Sequence, residues 1–388
     1  MDRFPESFPR SLGQMVRLSL GVAVALGFAR FAYALVLPAM RADLGWSFTV
    51  AGAMNAANAA GYLLGAFAAP RLIAPWGLRQ TFAVGMVGTA LALLASGLTS
   101  MVPLLLALRF LAGTGGALIF VAGGGLAALA ARAHPQRSPL LLGVFYGGAG
   151  VGILTSALLL PPLLARGWPA AWLALGGASL LALAGAWPAL RGATPSAGQT
   201  GTVRASLRPL VPALAAYTCF GLGYIAYMTF IVAFLRAEEL GHLVTPFWAV
   251  LGGAVVVSPL VWADVVRRLP GARAMTVQLL TLALGAALPL VGRAAPVLFA
   301  SGVLFGMSLL AVVTGTTVLT QRVLPEAAWG RGIAAFTVVF AAGQTLGPVL
   351  TGALSDGAGG LRLGLIVSAL VLLVGAGLAW RQGTEEAI

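Results

Sequence analysis

The chain is built almost entirely from long apolar runs. About twelve of them, each near the roughly 20 residues that an α-helix needs to cross the hydrocarbon core of a bilayer, follow one another with short polar interruptions. They fall near residues 14–40, 49–73, 80–100, 103–131, 139–164, 169–190, 209–235, 246–268, 273–292, 294–322, 331–355 and 361–380. The pattern predicts an all-α integral membrane protein of twelve transmembrane helices.

The composition excludes a water-soluble fold, because 60% of the residues are hydrophobic, 9% are charged and the mean hydropathy is +0.97. The net charge of +13 reflects 23 arginines against ten acidic residues, and the arginines are scattered between apolar runs, which argues against a nucleic-acid-binding surface. Most of them fall in loops on one side if both termini are cytoplasmic. The positive-inside rule therefore predicts that both termini are cytoplasmic (N-in, C-in).

The chain is expected to consist of two homologous halves. A polar stretch at 191–208 separates an N-terminal six-helix bundle, 1–190, from a C-terminal one, 209–388. The segment from Gly27 to Tyr33 in the first run matches the segment from Gly221 to Tyr227 in the seventh. In the fifth and eleventh runs, Phe145, Gly148 and Gly152 match Phe340, Gly343 and Gly347 at nearly the same offset. The interface of the halves is then the expected binding site.

Arg30 is the most informative residue of the sequence. It lies well inside the first apolar run, where a charge costs about 2.5 to 3.5 kcal/mol even on a lenient insertion scale. One interpretation is that its planar guanidinium binds an anionic group of the solute. The other is a structural arginine bonded to backbone carbonyls. The first is favoured because the matching position in the other half is the uncharged Tyr224.

Further polar residues lie at helical spacing inside the runs and are candidates for lining a cavity or for hydrogen bonds between helices. The predicted solute-binding set is Arg30, Tyr33, Asn55, Asn58, Tyr62, Tyr224 and Tyr227. Arg109 is a second intramembrane charge, with equal arguments for a structural and a gating role. Acidic residues and histidines all fall at run ends or in loops, so proton coupling would depend on Asp264, Asp356 or the solute's own carboxylate.

No nucleophile, base and orienting group can be assembled from so few intramembrane polar residues, so an enzyme is not expected. The lone Cys219 lies in an apolar run and forms neither an intramolecular disulfide nor a metal-binding cluster. We expect no cofactor and no metal. The expected partners are the lipid bilayer, a small-molecule substrate and, for a coupled mechanism, protons, with the protein a monomer.

Several motifs resemble those of the major facilitator superfamily over essentially the whole chain. Gly65, Gly77 and Arg79 resemble its loop between helices two and three, although Ala69 stands where an aspartate is usual, and Arg109 with Gly113 and Gly115 resembles its fourth-helix motif. The segments Phe28–Tyr33 and Leu37–Met40, with Gly343, Gln344, Gly347, Pro348, Gly352 and Asp356, resemble the YbfB/YjiJ-type bacterial subgroup. The resemblance implies two six-helix bundles, alternating access and a location in the bacterial inner membrane. Arg109, Asp264, Gln344 and Asp356 are the predicted coupling or gating residues.

The sequence thus predicts a secondary transporter of a small organic solute, with an organic anion favoured by Arg30. A proton-coupled drug or metabolite exporter is the alternative, favoured by the aromatic cavity candidates and by the Arg109 motif. A ligand sensor on a transporter fold, which binds without moving its ligand, is a second alternative.

Overall fold

The computed structural model describes residues 7–134, 137–190, 206–325 and 328–382, so most of the predicted linker at 191–208 lies outside the described residues. The described chain is helical. By contacts it separates into two compact units, one of Met1–Leu44 and Ala57–Ala197 and the other of Gly45–Ala56 and Gly198–Ile388, here called unit 1 and unit 2.

Six α-helices and a π-helical segment make up the first part of the chain. They are α1 (Phe8–Val22), the π segment (Ala23–Phe31), α2 (Tyr33–Leu44), α3 (Phe48–Ser96), α4 (Val102–Ala131), α5 (Ser138–Leu164) and α6 (Trp168–Leu190). The opening of α3, up to Ala56, belongs to unit 2 and the rest of this helix to unit 1.

The remainder of unit 2 contains seven α-helices and two short 3-10 turns, Arg208–Leu210 and Gly241–Leu243. The helices are α7 (Val211–Ala237), α8 (Val244–Arg268), α9 (Arg273–Val291), α10 (Ala295–Leu309), α11 (Ala311–Val323), α12 (Trp329–Asp356) and α13 (Gly360–Trp380). A break at Leu310 separates α10 from α11, which together form one long apolar stretch.

Eleven helices among the described residues are long and apolar enough to cross a membrane. The sequence predicts separate spans at 49–73 and 80–100. In the structure both fall mainly within one helix, α3, which is 49 residues long. Gly77 interrupts its helical geometry with φ 75° and ψ 169°, a left-handed φ that a residue without a Cβ adopts without strain. The protein is therefore a multi-pass membrane protein.

Glycine rows let the helices approach closely in both units. A Cβ on Gly152 of α5 would lie 2.5 Å from the carbonyl oxygen of Ala23 and 2.8 Å from the Cα of Gly27. In unit 2, a Cβ on Gly343 of α12 would lie 2.6 Å from the carbonyl oxygen of Thr218 on α7. Side chains larger than hydrogen would force these backbones apart, as expected for small residues at membrane helix interfaces. The two contacts involve the same glycines that the internal sequence match singled out.

Candidate functional site

Arg30 lies near the end of the π segment in the interior of unit 1, with 3% of its surface exposed. Its Nε donates a hydrogen bond to Oδ1 of Asn58 at 3.1 Å. Its Cζ lies 4.5 Å from the centroid of the Tyr62 ring, within cation–π range. The predicted residues Arg30, Asn58 and Tyr62 therefore form one cluster, with the guanidinium oriented by an amide and a ring.

The side chain of Asn58 connects three backbones. While its oxygen accepts from Arg30, its Nδ2 donates to the carbonyl oxygen of Ala29 at 3.4 Å and to that of Arg109 at 3.2 Å. Glycines make this approach possible, because a Cβ on Gly113 of α4 would overlap with the carbonyl of Asn58 itself. A buried amide that uses both its donor and its acceptor stiffens the junction of the π segment, α3 and α4.

The π segment has a direct effect on this cluster. The N–H of Ala32 donates to the carbonyl oxygen of Gly27 at 2.8 Å, an i to i−5 bond instead of the α-helical i to i−4 bond. The carbonyl oxygen of Ala29, in the last turn of the segment, accepts from Nη1 of Arg109 at 2.5 Å. π-Helical turns are frequent at functional sites. No feature of the apolar run predicts this one.

Arg109 is 2% exposed and packs beside two aromatic rings. Its Cζ lies 4.9 Å from the ring centroid of Tyr33 and 5.3 Å from that of Trp172, and these two rings stack at 6.3 Å with an interplanar angle of 21°. The guanidinium thus has a carbonyl and two ring faces as neighbours.

Unit 1 contains little negative charge for these two cations. Its sequence has three acidic residues, and only Asp43 is among the described ones. Asp43 lies near the end of α2, where its Oδ2 accepts from Nε1 of Trp168 at 2.7 Å. The described part of unit 1 therefore carries a net positive charge.

In unit 2, the predicted residues Tyr224 and Gln344 are in direct contact. The hydroxyl of Tyr224 donates to Oε1 of Gln344 at 2.6 Å. The Tyr224 ring stacks on Phe340 at 5.5 Å with an interplanar angle of 9° and on Phe220 at 4.7 Å. A polar pair thus stands at the end of an aromatic stack on α7 and α12.

Two other predicted residues make hydrogen bonds within unit 2. The hydroxyl of Tyr227 lies 2.7 Å from the Oγ of Ser301, which donates in turn to the carbonyl oxygen of Gly285 at 2.6 Å. Nδ2 of Asn55, in the opening of α3, donates to Oγ1 of Thr229 at 2.7 Å. The predicted stripe Asn55, Asn58 and Tyr62 is therefore divided, since only its last two members accompany Arg30.

The two predicted carboxylates lie at exposed helix ends. Asp356 accepts from the backbone N–H groups of Phe48 and Thr49 at 2.7 and 2.9 Å and from the Thr49 hydroxyl at 2.6 Å, so it caps the beginning of α3. Asp264 pairs with Arg267 at 2.7 Å on the surface of α8. Both are surface groups in this structure.

The contacts also reveal residues that the sequence analysis did not select. Trp172 beside Arg109, Thr229 beside Asn55 and Ser301 beside Tyr227 lie in other helices, far away in sequence. A tryptophan, threonine or serine within an apolar run carries no sequence signal that distinguishes such a partner from a core residue. Among the residues that the structure describes, no group of three or more His, Cys, Asp or Glu side chains is arranged to hold a metal ion.

Several transporters of known structure have the same fold as this chain. The chain is similar to a bacterial homolog of the human lysosomal transporter Spinster (TM-score 0.71, 14% identity, 97% of each chain covered). It is similar to a POT family transporter in complex with a thioalcohol-conjugated peptide (TM-score 0.75, 12% identity, 95% and 94% covered). It also resembles the nucleoside transporter NupG (TM-score 0.71, 12% identity, 95% and 98% covered). At these identities the likeness establishes the fold alone.

No curated protein matches the chain. The sequence model of one family does, the one described as "Uncharacterised MFS-type transporter YbfB", and the match extends over residues 22–380. This match confirms the resemblance drawn from Arg30, Arg109 and the glycine motifs. The chain therefore belongs to the YbfB-type family of major facilitator transporters.

Proposed function

We propose that this protein is a secondary transporter that moves a small organic anion across the bacterial inner membrane by alternating access, with Arg30 as the anchor for the anionic group. The carrying observation is the Arg30 cluster, a buried guanidinium oriented by Asn58 and Tyr62 in a unit whose described part has one carboxylate, near the end of α2. A charge inside a membrane-spanning segment is costly, and such residues often mark a solute or ion pathway.

The roles of the remaining residues follow from their contacts. Asn58 and Tyr62 position the guanidinium in unit 1, and Tyr224 with Gln344 forms a polar pair that is a candidate for solute contact within unit 2. Tyr33, Asn55 and Tyr227 are proposed to contribute to solute binding indirectly. Their hydrogen bonds and ring contacts hold their helices in place. Arg109 supports the junction that carries Arg30.

The fold in the membrane is proposed to have twelve spans. At about 1.5 Å per residue α3 would extend to about 74 Å, more than twice a hydrocarbon core of about 30 Å. We therefore assign two spans to α3, one before and one after Gly77, which completes bundles at 1–190 and 209–388. With most arginines in inner loops, both termini face the cytoplasm.

Cysteine accessibility tests this topology. Cys219 is the single cysteine, so a Cys219→Ala chain accepts one new cysteine at a time. Labelling from outside intact cells by a membrane-impermeant maleimide is expected at positions 99 and 293 but not at 79. Labelling at position 79 together with protection at position 99 would mean that the protein has the opposite orientation, with its N-terminus outside the cytoplasm.

Transport in proteoliposomes tests the anion assignment. Small carboxylates, amino acids and cationic dyes are offered with and without a pH gradient to the wild type, Arg30→Gln, Arg30→Lys and the matched control Arg17→Gln, an exposed arginine of α1. We expect a carboxylate to be moved, and Arg30→Gln to weaken its binding by about 10- to 100-fold because a charge-assisted hydrogen bond is lost. Arg17→Gln is expected to behave as the wild type.

The same assay separates the alternatives. Uptake of cationic dyes that Arg30→Gln leaves unchanged would reject the anion proposal and favour the proton-coupled exporter, in which Asp264 or Asp356 would have to exchange protons. Saturable binding of a carboxylate with no movement across the vesicle membrane, in either direction or gradient, would favour the ligand sensor.

A further inference from the structure

A row of aromatic rings begins at Arg30 and runs across unit 1. The Tyr62 ring, whose centroid is 4.5 Å from the Arg30 guanidinium carbon, lies 6.2 Å from the ring of Phe120 on α4, and Phe120 lies 5.4 Å from the ring of Tyr146 on α5. We call Tyr62, Phe120 and Tyr146 the aromatic row. Three different helices supply its members, so the row is a product of packing and not of one helix face.

The rings of the row are half-buried, unlike the neighbouring core aromatics. Phe145 lies 5.0 Å from Tyr146 and is 0% exposed, so it supports the row from the protein interior. The members of the row keep part of their surface accessible. The ring planes are rotated by 61° between Tyr62 and Phe120 and by 41° between Phe120 and Tyr146, so the row offers an aromatic group both ring faces and ring edges.

Helix geometry shows that the row does not lie on the lipid-facing side. On α4 the exposed apolar face is marked by Leu104 and Leu111, which are 45% and 54% exposed and seven residues apart. At about 100° per residue, Phe120 lies about 180° from Leu111 around this helix. The side of α4 that carries Phe120 is thus opposite to the side that meets lipid.

The same argument holds for the other two helices. Tyr146 lies about 140° from the exposed Val151 on α5, and Tyr62 lies about 160° from the exposed Leu64 on α3. Tyr62, Phe120 and Tyr146 are therefore directed away from lipid on all three helices, and Arg30, at the end of the row, is almost fully buried.

We infer that the solute is an aromatic carboxylate, whose carboxylate is bound by Arg30 and whose ring lies on the aromatic row. This inference rests on the proposed function and names the substrate class of the same site. Ring-to-ring stacking adds to simple apolar burial, so the row distinguishes a flat aromatic acid from a saturated acid of the same size.

Binding measurements on the full chain in nanodiscs test the inference. The probes are benzoate and 2-naphthoate, with cyclohexanecarboxylate as the saturated acid and benzylammonium as the aromatic cation. We expect both aromatic acids to bind at least about 10-fold more tightly than cyclohexanecarboxylate, and Phe120→Leu and Tyr146→Leu to reduce this ratio to near one. Phe120→Tyr and Tyr146→Phe, which keep a ring, should retain the preference.

Gly124 provides a second variant that should fold. A Cβ at this position would meet the Tyr146 hydroxyl at 3.7 Å as its nearest neighbour, an ordinary contact distance. Gly124→Ala is therefore tolerated, and it places a methyl group beside the Tyr146 hydroxyl at the end of the row. We expect it to weaken binding of 2-naphthoate by at least about 10-fold and to leave the affinity for benzoate within about twofold.

The outcomes distinguish the inference from the proposed function. Equal affinity for benzoate and cyclohexanecarboxylate, with both lost in Arg30→Gln, would overturn the aromatic inference and leave the anion proposal standing. Carboxylate binding that Arg30→Gln does not change, or tighter binding of benzylammonium than of benzoate, would overturn both. A thermal midpoint close to that of the wild type shows that each variant is folded.

Discussion

The guanidinium carbon of Arg109 lies 5.3 Å from the ring centroid of Trp172, although 63 residues separate the two in the chain. The same guanidinium has the Tyr33 ring at 4.9 Å and the Ala29 carbonyl as further neighbours. Arg109 therefore ties α4 to α6 and to the π segment. It supports the helix end that carries Arg30, and its energy can be measured.

Arg109→Lys should destabilise the protein, because an ammonium cannot cover two ring faces and reach the Ala29 carbonyl as a planar guanidinium does. We expect a double-mutant cycle of Arg109→Lys with Trp172→Leu to give a coupling energy of about 0.5 to 2 kcal/mol. Denaturant unfolding in a fixed detergent measures it. Strictly additive effects would mean that the ring contact contributes nothing.

Removing the amide that orients Arg30 should weaken solute binding as well as stability. In Asn58→Ala the guanidinium loses its partner at 3.1 Å, and two backbone carbonyls lose a donor. Each buried group left without its partner costs about 1 to 3 kcal/mol. Titration of the transported carboxylate should show at least a roughly fivefold weaker affinity.

The matched control for Asn58→Ala is Thr89→Val, which removes a single long hydrogen bond of 3.5 Å to the carbonyl of Ala112, also from α3 to α4. It should leave carboxylate affinity within about twofold of the wild type. If Thr89→Val weakens binding as much as Asn58→Ala, the effect comes from general loosening of unit 1 and not from Arg30.

Glycine packing between α5 and the π segment should be sensitive to a single methyl group. Gly152→Ala would place a Cβ 2.5 Å from the carbonyl oxygen of Ala23, so the helices must separate and the thermal midpoint should fall by several degrees. At Gly88 of α3, a Cβ would meet nothing within 4 Å. Gly88→Ala should therefore be neutral or stabilising, because alanine has the higher helix propensity. Equal losses in the two variants would contradict this account.

The carboxylate of Asp356 should protect the beginning of α3. In the wild type, three donors bond the carboxylate oxygens of Asp356. In Asp356→Asn an NH₂ group replaces one of these oxygens, so one or two of the three hydrogen bonds are lost. The expected loss is about 1 kcal/mol, in the range of helix N-caps. Hydrogen exchange of the amides from Phe48 to Ala51 should become faster.

Glu239→Gln is the control for Asp356→Asn, since Glu239 is exposed and its replacement keeps size and polarity. Exchange at the beginning of α3 should be unchanged in this variant. Unchanged exchange in Asp356→Asn as well would show that Asp356 does not stabilise the first turn of α3 in the membrane.

Much of the fold could be predicted from local sequence, because a bilayer imposes the same length and apolarity on every span. Most of the predicted apolar runs lie within helices of the structure to within a few residues, and the runs at 49–73 and 80–100 fall within one element with a break at Gly77. The position of Arg30 within a span could also be predicted from local sequence, because it depends on the charge of one residue and the hydropathy of its neighbours and not on any other helix.

The partners of these residues were decided by tertiary packing alone. The sequence placed Asn55, Asn58 and Tyr62 on one stripe, but the packing of α3 against the π segment brings only Asn58 and Tyr62 to Arg30. Asn55 bonds Thr229 in unit 2. The π segment and the aromatic row have the same origin. In a membrane every helix is apolar around much of its surface, so hydropathy alone does not tell which face meets a neighbour, and the steric fit of small residues makes that choice.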